Sequence, residues 1–117
     1  MREIILEELR KIEERENVKI IMAIESGSRA WGFASPDSDY DVRFIYVRKE
    51  TDYLKLEKFR DVIEWKLDDV LDINGWDIRK TLQLLQNSNP TVFEWCASPI
   101  VYMETEEFAW LKEILPM

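Results

Sequence analysis

Residues 20–47, IIMAIESGSRAWGFASPDSDYDVRFIYV, limit what this chain can fold into more than any other stretch. An apolar run from Ile20 to Ile24 ends at Glu25 and a Gly27-Ser28 turn. A polar connection follows, and Asp39-Tyr40-Asp41 then opens a second apolar run, Val42 to Val47. Apolar runs of this length between turn residues predict buried strands. Strand alternation sends Asp39 and Asp41 from one face of the sheet and Tyr40 and Val42 from the other. Two carboxylates side by side repel unless a cation neutralises them, and a hard divalent ion such as Mg²⁺ suits an oxygen-only pair. Gly27 lets the backbone approach a bulky anion, and free amides at a turn entering a helix cradle phosphates. A Gly-Ser alone is usually a turn, and an Asp-x-Asp alone a solvated strand end. Together and in this order they point to metal-assisted phosphoryl or nucleotidyl transfer.

Gly27-Ser28, a spacer of about a dozen residues, and Asp39-x-Asp41 before an apolar run resemble the polymerase-beta-type nucleotidyltransferase superfamily. The fuller text GSRAWGFASPDSDYDVRFIYV, with DINGWDIRKTLQLLQNSNPTVFEW and SPIVY downstream, is similar to a narrower group. That group is the predicted bacterial and phage nucleotidyltransferases of the RNA-repair-pathway polymerase-beta kind, and the resemblance covers residues 18–103. It implies transfer of a nucleoside monophosphate from a nucleoside triphosphate to an acceptor hydroxyl, with release of pyrophosphate. It implies Mg²⁺ or Mn²⁺, as two ions, on the acids. The phosphates would lie on Gly27, Ser28, Arg29, Ser38 and Arg43. The superfamily also implies a third carboxylate on the strand beside Asp-x-Asp, to help hold one metal and ease the proton from the attacking hydroxyl. Asp72, in the strand-like Val70 to Ile73, is assigned that place. Asp77, ahead of Ile-Arg-Lys-Thr-Leu, fits a helix N-cap, although the Gly-Trp-Asp text around it leaves a functional role open.

Several of these residues have two readings. Glu25 is either a metal or network partner or a strand-end residue paired with Arg29 or Arg43. Arg29 reaches a phosphate or a nearby acid. Ser38 touches a phosphate or bonds its own backbone. Arg43 stands at i+2 from Asp41 inside an apolar strand, where an unpaired charge is costly. It binds a substrate phosphate through its forked guanidinium, or it pairs with Glu25 or Glu64.

At 117 residues, 46% hydrophobic and 34% charged, the chain is expected to be a single domain over 1–117 with a modest core. The resemblance implies that it is either a short variant or the N-terminal catalytic half of a longer family pattern. The net charge of −8 disfavours a long nucleic-acid track, which needs Lys and Arg. With no His, Ser-His and Cys-His mechanisms and His-ligated zinc are excluded. The single cysteine, Cys96, reads as a small buried hydrophobe and fits a reducing cytoplasm. No apolar run approaches the length of a membrane span, and no signal-peptide pattern opens the chain.

The remaining segments fill out an α/β (α+β) architecture. Residues 2–16 form an amphipathic helix with Ile5, Leu9 and Ile12 on one stripe and Asn17 as its stop. Residues 48–60 read as a loop with a helical turn and the main concentration of Lys and Arg. Residues 61–67 alternate as a half-buried strand, with a tight turn at Asp68-Asp69 leading into Val70 to Asn74. Helices follow over 77–87, with Ile78, Leu82 and Leu85 inward, and over 91–97, burying Val92, Phe93 and Trp95. An extended segment, 98–102, precedes a last helix from Thr105 to Leu115 with Phe108, Leu111 and Leu115 inward. The expected fold is a small mixed, twisted sheet with helices mainly on one face and an open active-site cleft on the other. The acceptor is expected to be an RNA end, a protein side chain or a small molecule. Two rival readings are a nucleotide- or metal-binding module without turnover, and an antitoxin-like interaction protein that contacts a basic partner.

Overall fold

A computed structural model describes residues 1–27, 39–54, 60–66, 70–87 and 90–114. Ser28, Arg29, Ser38 and the turn at Asp68-Asp69 lie outside the described residues. The chain opens with α1 (Arg2–Glu16) and β1 (Val18–Glu25), then β2 (Tyr40–Arg48) and the short α2 (Glu50–Tyr53). β3 (Val62–Lys66), β4 (Leu71–Asp77), α3 (Ile78–Gln86), α4 (Pro90–Cys96), β5 (Val101–Glu104) and α5 (Glu106–Ile114) complete it.

The described strands form one five-stranded sheet in the order β3-β4-β2-β1-β5. β2 and β4 run parallel, and the other neighbours pair antiparallel. This is the expected mixed sheet, with the acid-bearing strand at its centre. Seven of the eight β1 residues are buried, as a strand covered on both faces requires. The register of β1 on β2 shifts between Ile20 and Met22. Ile20 therefore joins one core cluster while Ile21 and Met22 both join the other.

The helical period of α1 explains the first cluster. Ile5, Leu9 and Ile12, each at most 1% exposed, cover Ile20, Ala23, Val42, Phe44, Tyr46, Leu71 and Ile73. Truncating any of the three to Ala would cost about 2–5 kcal/mol. Asn17 ends the helix in the left-handed region, φ 54°, and its amide bonds the Glu13 carbonyl. Gly75 on β4 sits opposite Phe44 on β2, and a Cβ there would lie 2.1 Å from the Phe44 ring. The missing side chain is the slot that the ring fills.

The second cluster, on the opposite face, contains Ile24, Ile45, Val92, Trp95, Cys96 and Phe108, with Trp76, Ile78, Leu84 and Leu85 against it. Trp76 and Trp95 stack with ring centroids 4.1 Å apart. Among the described helices, α1 covers one face, while α3, α4 and α5 supply the other. Leu82, expected inward, is 44% exposed, and buried Thr81 faces in with Leu84 and Leu85. Phe93 is half-buried. Arg48, expected in a solvated loop, continues β2 and is buried, with one guanidinium nitrogen donating to the Arg60 carbonyl. Among the described residues no helix is long and apolar enough to cross a membrane.

Candidate active site

The parallel ladder between β2 and β4 places Asp41 directly beside Asp72. Partners on adjacent strands lie about 5 Å apart and point to the same face, so the two carboxylates stand side by side. The next row on that face is Arg43 beside Asn74, and the one after is Ile45 beside Trp76. Along this face the sheet passes from apolar, under α3 and α4, to polar and then to acidic. The acids therefore stand on the α3–α5 side, beyond the part those helices cover, whereas the open cleft was expected on the face with fewer helices, which α1 covers.

Arg43 knits the two rows together. One terminal nitrogen lies 3.3 Å from Asp72 Oδ2 and 4.0 Å from Asp41 Oδ1, and the other donates to the carbonyls of Val42 and Asp72. Asn74 Nδ2 donates to the second Asp72 oxygen at 3.0 Å. Each acid keeps 36% of its side chain exposed, against 20% for Arg43. Of the expected partners of Arg43, neither Glu25 nor Glu64 is used. Glu64 is exposed on β3 and pairs with Arg60 at 3.7 Å. Arg43 answers instead to the Asp41–Asp72 pair beside it, since two adjacent carboxylates need a cation more than an isolated edge residue does.

A second clamp fixes Asp41 from the β1 side. Its carbonyl accepts from the Ser26 amide at 2.9 Å and from the Ser26 hydroxyl at 3.3 Å. Its amide donates to Glu25 Oε2 at 2.8 Å, and the same oxygen accepts the Gly27 amide at 3.1 Å. The Gly27 amide, expected to be free for a phosphate, is thus committed to Glu25. A Cβ on Gly27 would lie 2.4 Å from Asp41 Oδ2. The close approach that this glycine permits is to the Asp41 carboxylate. Glu25 itself is fully buried, and its Oε1 accepts from the Tyr102 hydroxyl at 2.8 Å. Burial first, and then this bond to Glu25 and its charge, push the Tyr102 phenol well above its usual value. Ser98 donates to the Glu25 carbonyl at 2.6 Å.

Asp39 precedes the first rung of the ladder and is exposed. It lies outside the β2–β4 register that brings Asp41 and Asp72 together. Among the described residues no group of three or more His, Cys, Asp or Glu side chains is arranged to hold a metal ion. The expected convergence of Asp39, Asp41 and Asp72 is thus seen for two of the three. Asp77 lies five residues along β4 from Asp72, about 17 Å away at strand spacing. It is buried, caps α3 by accepting the Arg79 amide at 2.8 Å, and accepts from the Tyr53 hydroxyl.

Four partners were not anticipated from sequence: Ser26, just ahead of the Gly27-Ser28 turn, Asn74, Tyr102 and Ser98. Asn74 had a usable signal, because it follows Asp72 at the same i+2 spacing that relates Asp39 to Asp41. Tyr102 and Ser98 had none, since they reach Glu25 across 77 and 73 residues.

Comparison with known proteins gives the chain its relatives. It is 58% identical over 104 residues, 89% of its length, to the uncharacterized protein YcgL of Bacillus subtilis (strain 168), and this match spans 40% of that relative. No solved structure matches it. A family model described as RNA repair pathway DNA polymerase beta matches residues 1–115, so the chain belongs to the RNA repair pathway DNA polymerase beta family.

Proposed function

We propose that the chain carries out metal-dependent nucleotidyl transfer, moving a nucleoside monophosphate from a nucleoside triphosphate to an acceptor hydroxyl. The observation that carries this reading is the registered, partly exposed Asp41–Asp72 pair, clamped from β1 by Ser26 and Glu25 beside a glycine with no room for a side chain. Family membership supports the same class of chemistry.

The donor set fits a hard divalent cation in kind. Carboxylate oxygens on neighbouring strands suit Mg²⁺ or Mn²⁺, and the Arg43 guanidinium against both acids marks where positive charge is favourable. Asp41 and Asp72 would hold the metal, joined by Asp39 from just ahead of β2. When bound, such ions neutralise the triphosphate and favour departure of pyrophosphate. Asp72, oriented by Arg43 and Asn74, retains outward lone pairs. It accepts the proton of the attacking hydroxyl as the oxygen–phosphorus bond forms at the α-phosphorus and the bond to the β-phosphate oxygen breaks. Ser28, Arg29 and Ser38 are assigned to the triphosphate from the sequence motif.

The test supplies labelled nucleoside triphosphates, Mg²⁺ and three acceptor classes (an RNA end, a protein, a small hydroxyl compound) and follows pyrophosphate release. Transfer is expected with one of them, and Asp41→Asn should reduce it at least about 100-fold. Undiminished turnover in that variant would eliminate the mechanism.

A second reading, binding of nucleotide or metal without turnover, is favoured by the Arg43 guanidinium that already neutralises the pair. It gives nucleotide-dependent thermal stabilisation with no pyrophosphate. An antitoxin-like role instead gives co-purification with a basic partner and indifference to Mg²⁺.

A further inference from the structure

Glu25 is fully buried, and among the described residues no ion pair reaches it. A buried carboxylate is costly unless hydrogen bonds replace its water. Here three donors do so: the amides of Gly27 and Asp41 on Oε2, and the Tyr102 hydroxyl on Oε1. The main chain of the same residue is held as well. Its amide donates to the Ile100 carbonyl at 3.0 Å and its carbonyl accepts from Ser98. The segment leading into β5 therefore grips the end of β1 from one side, while the side chain reaches round to β2 on the other.

Two features make this more than a buried polar contact. One oxygen receives the amides of both elements that meet at the candidate site, so it fixes their separation directly. There is also no slack between those elements, because a single added carbon on Gly27 would fall 2.4 Å from Asp41 Oδ2 and 3.0 Å from Glu25 Oε2. An apolar residue in place of Glu25 would leave both amides without an acceptor and let the turn drift against the Asp41 carboxylate.

We propose that Glu25 is a positioning residue, whose buried carboxylate, held by Tyr102, sets the distance between the Gly27 turn and the Asp41 carboxylate. Its effect on turnover rests on the nucleotidyl-transfer reading, whereas its effect on the two amides does not. Length and acceptor geometry matter here, and negative charge does not. Gln has the same reach, with an amide oxygen to accept both N–H groups and an NH₂ to donate to the Tyr102 oxygen. Asp is one methylene short of both amides.

The test compares Glu25→Gln, Glu25→Asp, Glu25→Ala and Tyr102→Phe in the full chain. Amide hydrogen exchange is read at Gly27 and Asp41. These amides are expected to be protected in the parent and in Glu25→Gln, and to exchange at least about 10-fold faster in Glu25→Ala and Glu25→Asp. Amides of the β2–β4 ladder should keep their protection. Tyr102→Phe should fall between, and it carries the test if Glu25→Ala does not fold. In the transfer assay, kcat should fall about 100-fold in Glu25→Asp, the size of effect that an ångström of misplacement produces, with KM less affected and Glu25→Gln within about 3-fold of the parent. Unchanged protection in both Glu25→Ala and Glu25→Asp would overturn the proposal. So would a Glu25→Gln protein with both amides protected and turnover as poor as that of Glu25→Asp, because charge would then be the requirement. If the parent transfers no nucleotide, the functional reading fails, and the exchange rates still decide the role of Glu25.

Discussion

The two ends of the β2–β4 ladder both carry acids, and they use them in opposite ways. At one end Asp41 and Asp72 sit side by side, more than a third exposed, with lone pairs to spare. At the other end Asp77 is 4% exposed and committed: its side chain caps α3 and takes the Tyr53 hydroxyl, and its carbonyl takes the Thr81 hydroxyl. Around it Tyr53 accepts the Arg48 amide, while Tyr46 and the Arg48 guanidinium both donate to the Arg60 carbonyl. An acid whose acceptors are all spent on its own chain holds the fold. An acid left half-used beside another acid is available for a ligand.

Substitution at the two ends should break this comparison if it is wrong, and it produces the largest effects. Asp41→Asn and Asp72→Asn are each expected to lower turnover at least about 100-fold while unfolding free energy stays within about 1 kcal/mol of the parent. Asp77→Ala should do the reverse. It loses a helix cap and strands the Tyr53 hydroxyl, a cost of about 1–3 kcal/mol, with little change in turnover per folded molecule. Denaturant unfolding and pyrophosphate release on the same samples separate the outcomes. An Asp77 variant that is stable but inactive would reverse the assignment.

The next effect belongs to the glycines. Gly75→Ala drives a methyl into the Phe44 ring inside the first core cluster, where overpacking costs about 1–3 kcal/mol. Gly27→Ala pushes chiefly on the Asp41 carboxylate, which is partly exposed, and less closely on buried Glu25. It should cost less stability than Gly75→Ala, and turnover should fall about 10–100-fold because Asp41 is displaced. The same chemical change thus reads as stability in one place and as function in the other. Equal loss of stability at both positions would remove the distinction.

How much of this was legible in the sequence follows from the range of the signals. Strand alternation is local, so the common face of Asp41 and Arg43 could be read directly, as could the α1 stripe and the cap at Asp77. The pairing of Asp72 with Asp41 needed the position of β4 beside β2, which family resemblance supplied and periodicity alone did not. The ion-pair partners expected for Arg43, Glu25 or Glu64, were the wrong acids, because its partner depends on which acid the parallel ladder brings alongside it. The Glu25–Tyr102 contact joins strands far apart in sequence, and no local pattern encodes it. Leu82 was expected inward from its spacing after Ile78, but Thr81 occupies that face, since its hydroxyl is satisfied by the Asp77 carbonyl one turn earlier.

A smaller effect sharpens the acidic end. Arg43→Met keeps the apolar stem and removes the fork, leaving Asp41 and Asp72 to repel each other. Loss of charge-assisted bonds is expected to cost about 1–3 kcal/mol without divalent ions. Mg²⁺ should then restore more stability to the variant than it adds to the parent, because it replaces the missing positive charge. The readout is the unfolding midpoint with and without Mg²⁺. Identical Mg²⁺ responses in the two proteins would mean that Arg43 is not the counter-cation of the pair.

The smallest effect comes from an acid at neither end of the ladder, which makes it a control. Glu107, exposed on α5, receives a 2.6 Å hydrogen bond from Lys19, and this bond chiefly holds its carboxyl down at about 2, helped by backbone and Thr105 contacts. Because the folded value lies below the unfolded one, the stability it contributes is present above the ordinary carboxylate range near 4.5 and is lost as pH falls through about 2. Surface pairs of this kind contribute little and are screened by salt. Lys19→Met should raise the Glu107 carboxyl toward its ordinary range in an NMR titration, with the backbone and Thr105 contacts still holding it somewhat down, and slightly flatten the acid limb of the stability curve. High salt should erase most of the difference, and turnover should not change. A turnover change in this variant would show that the acidic surface at large, and not the pair on the ladder, governs activity.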